Sequence, residues 1–523
     1  MIFINTGGII YTVIFKNIKA GGNIKMKRAI AAIMLVVLLA ASLVACNDAE
    51  SNTSKTEVSA GEGEYVANVP DKDYGGEKVV FLTAGVNETY NSEIVYNEYE
   101  DGETDQMAAV VNDALRERQN VLEEQIGVII EEKYVFDNKR YGGAMAAYMR
   151  DDLASGTFSY HVAVPCLYDC ATLAAEGILV DLLDEVPYLD MSQPWWDQSF
   201  NEEMTLGGSL YFTIGDIGLI NKDATPCIAF NKNLIVEHGL DNPYELVDDG
   251  NWTIDKVIEM SKAIKQDLNN DGKIDYQDQF GYGGQYDDMW YMFYGSGERT
   301  ASIGADGWPE ITVYTERSTG VIENILELMQ NKEYYVCAND YFGVAQWPAE
   351  LVTNAFVEGR SIFNLSSAST TDAYRDMEDE FGLVPIPKYN AEQDRYYSMV
   401  NPWTSNAFCV PIGRTESVYE MIGITMEVMG AFSKKTLAVA YYDVALVNQK
   451  TRDEDTVRML DIIFSSRGCD IGMIYKWGGM DTMLHDLITK PAGSFTSTYD
   501  SIKDRAEADL EKTIDFYESV QEE

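Results

Sequence analysis

Lys78-Val79-Val80-Phe81-Leu82 is a short apolar run rich in β-branched residues, bounded by the polar loop Thr83 to Asp105, and it predicts a buried strand. The pattern then changes period. Over Gln106 to Ile126 the residues Met107, Val111, Ala114, Leu115, Leu122 and Ile126 fall on one side of a helix, and Gly127 can close its end. Val128-Ile129-Ile130 opens a second strand, Tyr141 to Leu153 a second helix stopped near Ser155-Gly156, Tyr160 to Val164 a third strand, and Tyr168 to Glu176 a short helix closed by Gly177. Strand, helix, strand, helix, strand is the pattern of a doubly wound α/β layer. It decides the fold class for this part of the chain.

Outward from that block, Ser209 to Phe212 and Pro226 to Phe230 read as strands, Thr253 to Gln266 as a helix and Phe381 to Ile386 as a further strand. A Pro-flanked, aromatic-rich segment spans Pro385 to Pro411. Helices are predicted over Glu416 to Met429, Lys434 to Leu446, Asp453 to Ser465 and Thr498 to Gln521. With 523 residues the chain is long enough for two cores. Its 85 acidic residues against 39 Lys and Arg give a net charge of -46, which argues against nucleic acid, because phosphate contacts need a basic face. The same charge disfavours anionic ligands and anionic membrane surfaces. Six cysteines besides Cys46 (Cys166, Cys170, Cys227, Cys337, Cys409 and Cys469) form no CxxC pair and read as buried free thiols. The three histidines, His161, His238 and His485, are scattered, so neither zinc ligation nor a Ser-His-Asp arrangement is supported.

The N-terminal region has its own logic. From Met26 the chain reads MKRAIAAIMLVVLLAASLVAC: a basic start at Lys27-Arg28, a short apolar core from Ala29 to Ala41, and Leu43-Val44-Ala45-Cys46. The last four residues resemble the lipobox at which a bacterial lipoprotein leader is cut and a lipid attached to the cysteine. The apolar run is shorter than the roughly 20 residues of a membrane span. These features predict a leader over 26–45 and lipidation of Cys46. Residues 1–25 do not fit a leader starting at Met1 and are expected to be a misassigned start without structure. Residues 46–74, polar and small, are expected to form a flexible tether.

One loop carries a metal-binding pattern. Asp267-Leu268-Asn269-Asn270-Asp271-Gly272-Lys273-Ile274-Asp275-Tyr276-Gln277-Asp278 places side-chain oxygens at positions 1, 3, 5, 9 and 12, a glycine at 6 and the carbonyl of Lys273 at 7. This is the spacing that wraps a calcium ion. Asp278 stands where EF-hands have a bidentate Glu, as in dockerin-type loops, so Asp267, Asn269, Asp271, Lys273, Asp275 and Asp278 are expected to hold one structural Ca2+. The aromatic content, 33 Tyr and 8 Trp, points elsewhere. A sugar ring presents an apolar C–H face to an aromatic plane, while its hydroxyls need Asp, Asn, Gln or Arg. Among the tryptophans, Trp195-Trp196 after Pro194 read as structural and Trp477, in Lys476-Trp477-Gly478-Gly479, as the least core-like.

Several blocks together resemble the extracellular solute-binding proteins of ABC importers, family 1, the sugar-binding lipoprotein type. They are Tyr96 to Tyr99, Arg116 to Val128, Gly177 to Leu182, Pro194 to Asp197, Asp267 to Gly281, Phe381 to Tyr389 and Arg452 to Phe464. The resemblance implies a two-lobed, Venus-flytrap α/β fold of the periplasmic-binding-protein type, each lobe a sheet flanked by helices. It places lobe one at 75–220 and 385–430 and lobe two at 221–384 and 431–523, with hinges at Gly215 to Thr225, Val384 to Pro387 and Gly430 to Ser433. Ligands of such sheets lie at the carboxyl ends of the strands. By position this nominates Asn87, Glu98, Tyr168, Asp169, Asp216, Trp290, Trp403 and Trp477. The implied function is a non-enzymatic, monomeric receptor on the extracellular face of the cell membrane, held there by its lipid alone, that captures a carbohydrate, expected to be an oligosaccharide, by lobe closure and delivers it to an ABC permease. Two alternatives stay open: a surface glycan hydrolase, and a receptor for a peptide or phosphodiester.

Overall fold

The computed structural model describes residues 2–6, 9–13, 65–86, 92–97, 106–367, 369–374, 377–447, 454–490 and 493–521. The expected leader, Cys46, Asn87 and Glu98 lie outside them. Residues 1–55 are a unit of their own. Within it β1 (Ile2–Thr6) pairs antiparallel with β2 (Ile9–Val13), Ile2 opposite Val13 and Thr6 opposite Ile9. Residues 2–6 and 9–13 thus form paired strands in a stretch expected to carry no structure. The β-branched residues of both arms and the Gly7-Gly8 connection between them are a hairpin signal that the interspersed Asn and Lys obscured.

In the second unit, Thr56–Glu523, the block that opened the sequence reading forms as expected. β3 (Glu77–Gly85) lies between β4 (Val128–Phe136) and β5 (Val162–Val164), and both pairings are parallel. Val79 and Phe81 are fully buried in the middle strand. The helix Gln106–Ile126 joins β3 to β4, and Ala144–Ser155 joins β4 to β5. Gly127 follows the first helix at φ 63°, where a Cβ would collide with Asp73, so the tight return into β4 requires glycine. Ala407–Pro411 adds isolated antiparallel bridges beside this sheet: Cys409 to Ala163, Phe408 to Thr213 and Pro411 to Leu179. Ser209–Phe212, expected as a strand, forms no ladder.

The second sheet has the order β10-β7-β11-β6-β12, made by β6 (Pro226–Asn231), β7 (Phe280–Gly284), β10 (Tyr335–Cys337), β11 (Ser361–Ser367) and β12 (Phe381–Val384). β7 runs parallel to β10 and β11, while β6 runs antiparallel to β11 and β12. β8 (Ala301–Ile303) and β9 (Pro309–Ile311) form a separate hairpin, and β13 (Ser398–Met399) pairs parallel with β14 (Arg467–Gly468).

Two large buried cores follow these sheets. One gathers Phe81, Leu82, Val162, Trp195, Trp196, Phe200 and much of the helix Glu416–Lys435. The other gathers Phe230, Trp252, Tyr282, Trp290 and Phe363. All six described cysteines are buried and free. Among the described residues no helix is long and apolar enough to cross a membrane.

The cores move the expected boundaries. Residues after β12 stay with the second core: Trp252 donates to the carbonyl of Pro385 at 2.8 Å, Tyr396 to that of Val247 at 3.1 Å, and Ile386 is buried there. The passage falls between Met399, in the second core, and Val400, in the first, rather than at Val384–Pro387. Nor does the chain leave the first core at Gly430–Ser433. The helix Glu416–Lys435 runs straight through, and the next, Leu437–Val447, packs on Gln106–Ile126. Its Leu437, Ala440 and Tyr441 bury against Ala114, Leu115 and Leu219.

Candidate functional site

The carboxyl ends of β4 and β5 are shaped by two aspartates. Asp137, 2% exposed, accepts the N–H groups of Lys139, Arg140 and Met145. That turn holds Arg140 at φ 58° and presents Arg140 and Tyr141 at the sheet edge. Asp169, in the first turn of the helix Leu167–Ala175, accepts from Gly142 at 2.8 Å, which locks the two loops together. Its pKa is raised by burial, against that hydrogen bond. The neighbouring ring of Tyr168 then meets Tyr141, centroids 5.3 Å apart.

Beyond the carboxyl end of β7, Asp287 takes two partners. Its Oδ2 accepts from Asn401 at 2.9 Å and its Oδ1 lies 3.2 Å from His485 Nε2. Asn401 also donates to the Tyr291 hydroxyl at 2.7 Å, and its Oδ1 accepts the backbone N–H of Trp403. The His485 ring stacks on Trp290 at 4.0 Å and 11°. Trp290 in turn donates to the Asp481 carbonyl at 3.0 Å.

The two edges meet at Lys476. Its ammonium is 2.8 Å from Asp481 and lies over the rings of Tyr141 and Tyr168, 4.7 and 4.4 Å from their centroids. Burial raises the Tyr168 phenol far above its usual pKa, and Asp481, Asp287 and Tyr291 add to the shift, so acidic groups of the second side face a hydroxyl of the first. Two buried polar atoms here make no hydrogen bond within the protein, Tyr168 OH and Asp481 Oδ1, while His485 Nε2 has only the 3.2 Å approach of Asp287. Left without water or ligand, each such atom costs about 1–3 kcal/mol.

Trp403 is the open aromatic face. It is 37% exposed, and the Arg140 guanidinium sits 5.3 Å from its ring. Arg140 also donates to the carbonyls of Trp403 and Thr404 and to Asn406 Oδ1, at 2.7 to 2.8 Å. Beside it Gly85, Asp137, Arg140, Cys166 and Asn406 line a small recess at the edge of the first sheet. Burial, with Asp169 next, pushes the Cys166 thiol up to about 12.

Of the nominated residues, Tyr168, Asp169, Trp290 and Trp403 converge here, with Trp290 a support beneath His485 and not an open platform. Asp216 does not. It is buried in an ion pair with Lys222 at 2.6 Å and Lys434 at 3.1 Å. Burial alone would raise its pKa, but the two lysines hold it below the usual carboxylate value. It pins the Gly215–Thr225 passage.

Trp477 is also corrected. It is 2% exposed, stacks on Tyr475 at 5.3 Å, and donates to Thr513 at 2.9 Å under the C-terminal helix Lys503–Gln521. The following glycines, which suggested a loop, let the chain turn tightly while the indole stays inside. Its neighbour Lys476, at φ 56°, is the residue that reaches the site. Arg140, Tyr141, Asp287, Asn401, Lys476, Asp481 and His485 escaped the sequence reading. Arg140, Tyr141 and Asp287 follow strand ends, which was a usable signal. His485 and Asp481, on the helix Met480–Thr489, gave none.

The loop expected to hold calcium closes on itself through Asx bonds. Asp267 accepts from Asn270, Asp271 and Gly272, Asn269 from Asp271, Asp271 from Lys273 and Asp275 from Gln277. Asp278, fully buried, accepts from Leu268 and Asp275, both at 2.9 Å. Among the described residues no group of three or more His, Cys, Asp or Glu is gathered as a metal cluster. The donors are all oxygen, which suits a hard cation, and each retains lone pairs beyond those given to the backbone.

No protein-family model and no curated protein matches the chain. Solved structures do. An ABC substrate-binding protein from Listeria monocytogenes, in complex with cycloalternan, is similar over 83% of this chain and 98% of its own at 11% identity and a TM-score of 0.50. UgpB from Mycobacterium tuberculosis, in complex with glycerophosphocholine, is similar over 77% and 96% at 17% identity and a TM-score of 0.50. UspC from M. tuberculosis is similar over 82% and 100% at 14% identity and a TM-score of 0.50. At these identities the likeness shows the fold: two α/β lobes of the periplasmic-binding-protein type.

Proposed function

We propose that this chain is an extracellular solute-binding protein of family 1, the receptor of an ABC importer, and that its solute is a carbohydrate. The observation that carries the reading is a pair of buried, unmatched polar atoms, Tyr168 OH and Asp481 Oδ1, beside the exposed face of Trp403 and between the carboxyl edges of two sheets. A sugar supplies what this set lacks. Its hydroxyls both donate and accept, and its C–H face covers an indole. A ligand touching both edges favours the closed arrangement of the lobes over the open one, and a permease that recognises the closed form then takes delivery. No reacting bond is needed.

The cations of the site favour a neutral solute over a phosphodiester. Arg140 is committed to two carbonyls and Asn406, and Lys476 to Asp481, so a phosphate would have to displace an existing acceptor. The overall charge of -46 acts in the same direction.

The protein is anchored through a lipid on Cys46 at the outer face of the membrane and works as a monomer. Mass spectrometry of the membrane fraction tests the anchor, and an unmodified Cys46 there rules it out. Loop 267–278 holds one structural calcium ion, supported by the order and chemistry of its oxygen donors. The deciding experiment for the function is calorimetric titration against mono- and oligosaccharides, a glycerophosphodiester and short peptides, with a turnover assay on glycans alongside. Binding of a sugar without turnover is expected. Turnover would make the protein an enzyme, and binding only of the phosphodiester or a peptide would replace the carbohydrate.

A further inference from the structure

One corner of the site is filled by the chain itself. The ammonium of Lys476 lies over two tyrosine rings whose centroids are 5.3 Å apart, 4.7 Å from that of Tyr141 and 4.4 Å from that of Tyr168, and it is 2.8 Å from an Asp481 oxygen. Two π faces and a carboxylate around one ammonium make a cage for a cation. Tyr141 is 36% exposed and the Lys476 side chain 29%, so the cage opens to solvent, while Tyr168 and Asp481 form its buried floor.

The lysine is held there under strain. Lys476 takes φ 56°, and Gly478 and Gly479 follow at 60° and 78°. Glycine adopts that region freely and lysine does not. The turn lies where the chain passes from the first core, at Trp477, to the second, at Met480, so the cage joins both sides of the crevice. Its floor is only partly used. Asp481 Oδ1 and Tyr168 OH make no hydrogen bond although Lys476 is in place. The carboxylates that act on the Tyr168 hydroxyl are Asp481 and Asp287, the latter with His485 and Asn401 beside it. Arg140, the other cation of the site, is turned onto Trp403 and the neighbouring carbonyls.

We infer that Lys476 stands in for the solute, and that the solute is an amino sugar whose protonated amine enters the cage of Tyr141, Tyr168 and Asp481 and turns Lys476 out to solvent. The inference rests on the carbohydrate reading and narrows it from a neutral sugar to an aminated one. Exchanging one ammonium for another keeps the ion pair with Asp481 and both π faces, so displacement loses little. The lysine stem is all methylene and offers no further donor to the floor of the cage. A sugar carries hydroxyls next to its amine, and these can reach the two oxygens that Lys476 leaves unmatched. The net charge of -46 draws such a cation to the crevice.

The test titrates the mature chain with chitosan, chitin and cello-oligosaccharides of matched length, which share a linkage and differ at one carbon in bearing an amine, an acetamide or a hydroxyl. Glucosamine, galactosamine and mannosamine are run against their acetylated and hydroxyl counterparts in the same way. The aminated member of a set is expected to bind about tenfold tighter than the other two, the margin of a charge-assisted over a neutral hydrogen bond. Lys476→Met vacates the cage and removes a like charge, so it should raise affinity for the aminated member. Asp481→Asn keeps the shape and removes the counter-charge, so it should abolish the preference for the amine, and it decides the matter if Lys476→Met does not fold. Aminated members that bind no better than neutral ones overturn the amine and leave the carbohydrate reading intact. A Lys476→Met protein that loses affinity for them, or an Asp481→Asn protein that still prefers them, overturns the cage. A wild type that binds no sugar of any set overturns both readings.

Discussion

Arg118 donates to the hydroxyl of Ser433, 3.0 Å away and 315 positions later in the chain, from a guanidinium whose residue is 1% exposed. It also donates to the carbonyls of Ile217, Glu93 and Ile94. The carboxylate of Glu93 accepts the N–H groups of Leu219 and Ile220. One buried cation thus ties the helix Gln106–Ile126 to the first passage between the cores and to the end of the helix Glu416–Lys435.

The Arg118 side chain is costly to keep and costlier to remove. Burial draws its pKa down to about 10, with Glu93 opposing. Replacing it alone leaves three carbonyls and the Ser433 hydroxyl without their donor and removes the cation that faces the Glu93 carboxylate. Arg118→Met is expected to lose about 3–5 kcal/mol of stability, read from chemical denaturation. A loss under about 1 kcal/mol would mean that the passage is held by other contacts.

Glu427 gives a pH signature. It is 1% exposed, and burial raises its pKa to about 8 although Trp196 donates to it at 3.1 Å. The folded chain therefore keeps this proton until about pH 8, while the unfolded chain releases it near the ordinary value of 4.5. The stability it confers is fully present below about pH 4.5 and is lost as pH rises toward 8. Glu427→Gln should flatten the fall of melting temperature across that window and melt about 2 °C or more above wild type at pH 8. Parallel pH profiles of the two proteins would contradict the assignment.

The calcium proposal has a direct readout. An ion that binds only the folded loop stabilises it by mass action. Adding EDTA to wild type is expected to lower the melting temperature, and calcium to restore it. Asp271→Ala should melt at one temperature in both conditions. If wild type is indifferent to chelator and no calcium copurifies, the Asx bonds alone hold the loop.

The sequence disclosed the first sheet well because period changes with each element. The helix Gln106–Ile126 was legible to the residue, its apolar spacing ending at a glycine that sterics require. Boundaries between cores were less legible. Pro385–Tyr397 is aromatic and proline-flanked, which looks like a crossing, yet it wraps around Trp252. The site was half legible, and for one reason. Residues that follow strand ends, such as Tyr168 and Asp169, can be located from periodicity. Residues that reach the site from late segments, such as Lys476, Asp481 and His485, are brought there by packing between stretches roughly 190 to 340 positions apart in the chain. Trp477 failed because flanking glycines signal a turn in the backbone and say nothing about where the neighbouring ring points.

Trp403 and Trp477 were alike in sequence and are opposite in structure, and their alanine variants should behave oppositely. Trp477 is buried, stacked on Tyr475 and bonded to Thr513, so Trp477→Ala is expected to cost about 3–5 kcal/mol of stability. Trp403 is 37% exposed and rests on Arg140, a contact worth about 0.5–1 kcal/mol at an exposed site. Trp403→Ala should therefore melt within a few degrees of wild type while its affinity for the sugar found by titration falls about tenfold or more. Melting and calorimetry on the same two preparations separate the outcomes. A Trp403→Ala protein that binds as wild type does would remove the platform from the proposed site. One that unfolds as readily as Trp477→Ala would make Trp403 a packing residue of the passage between the cores.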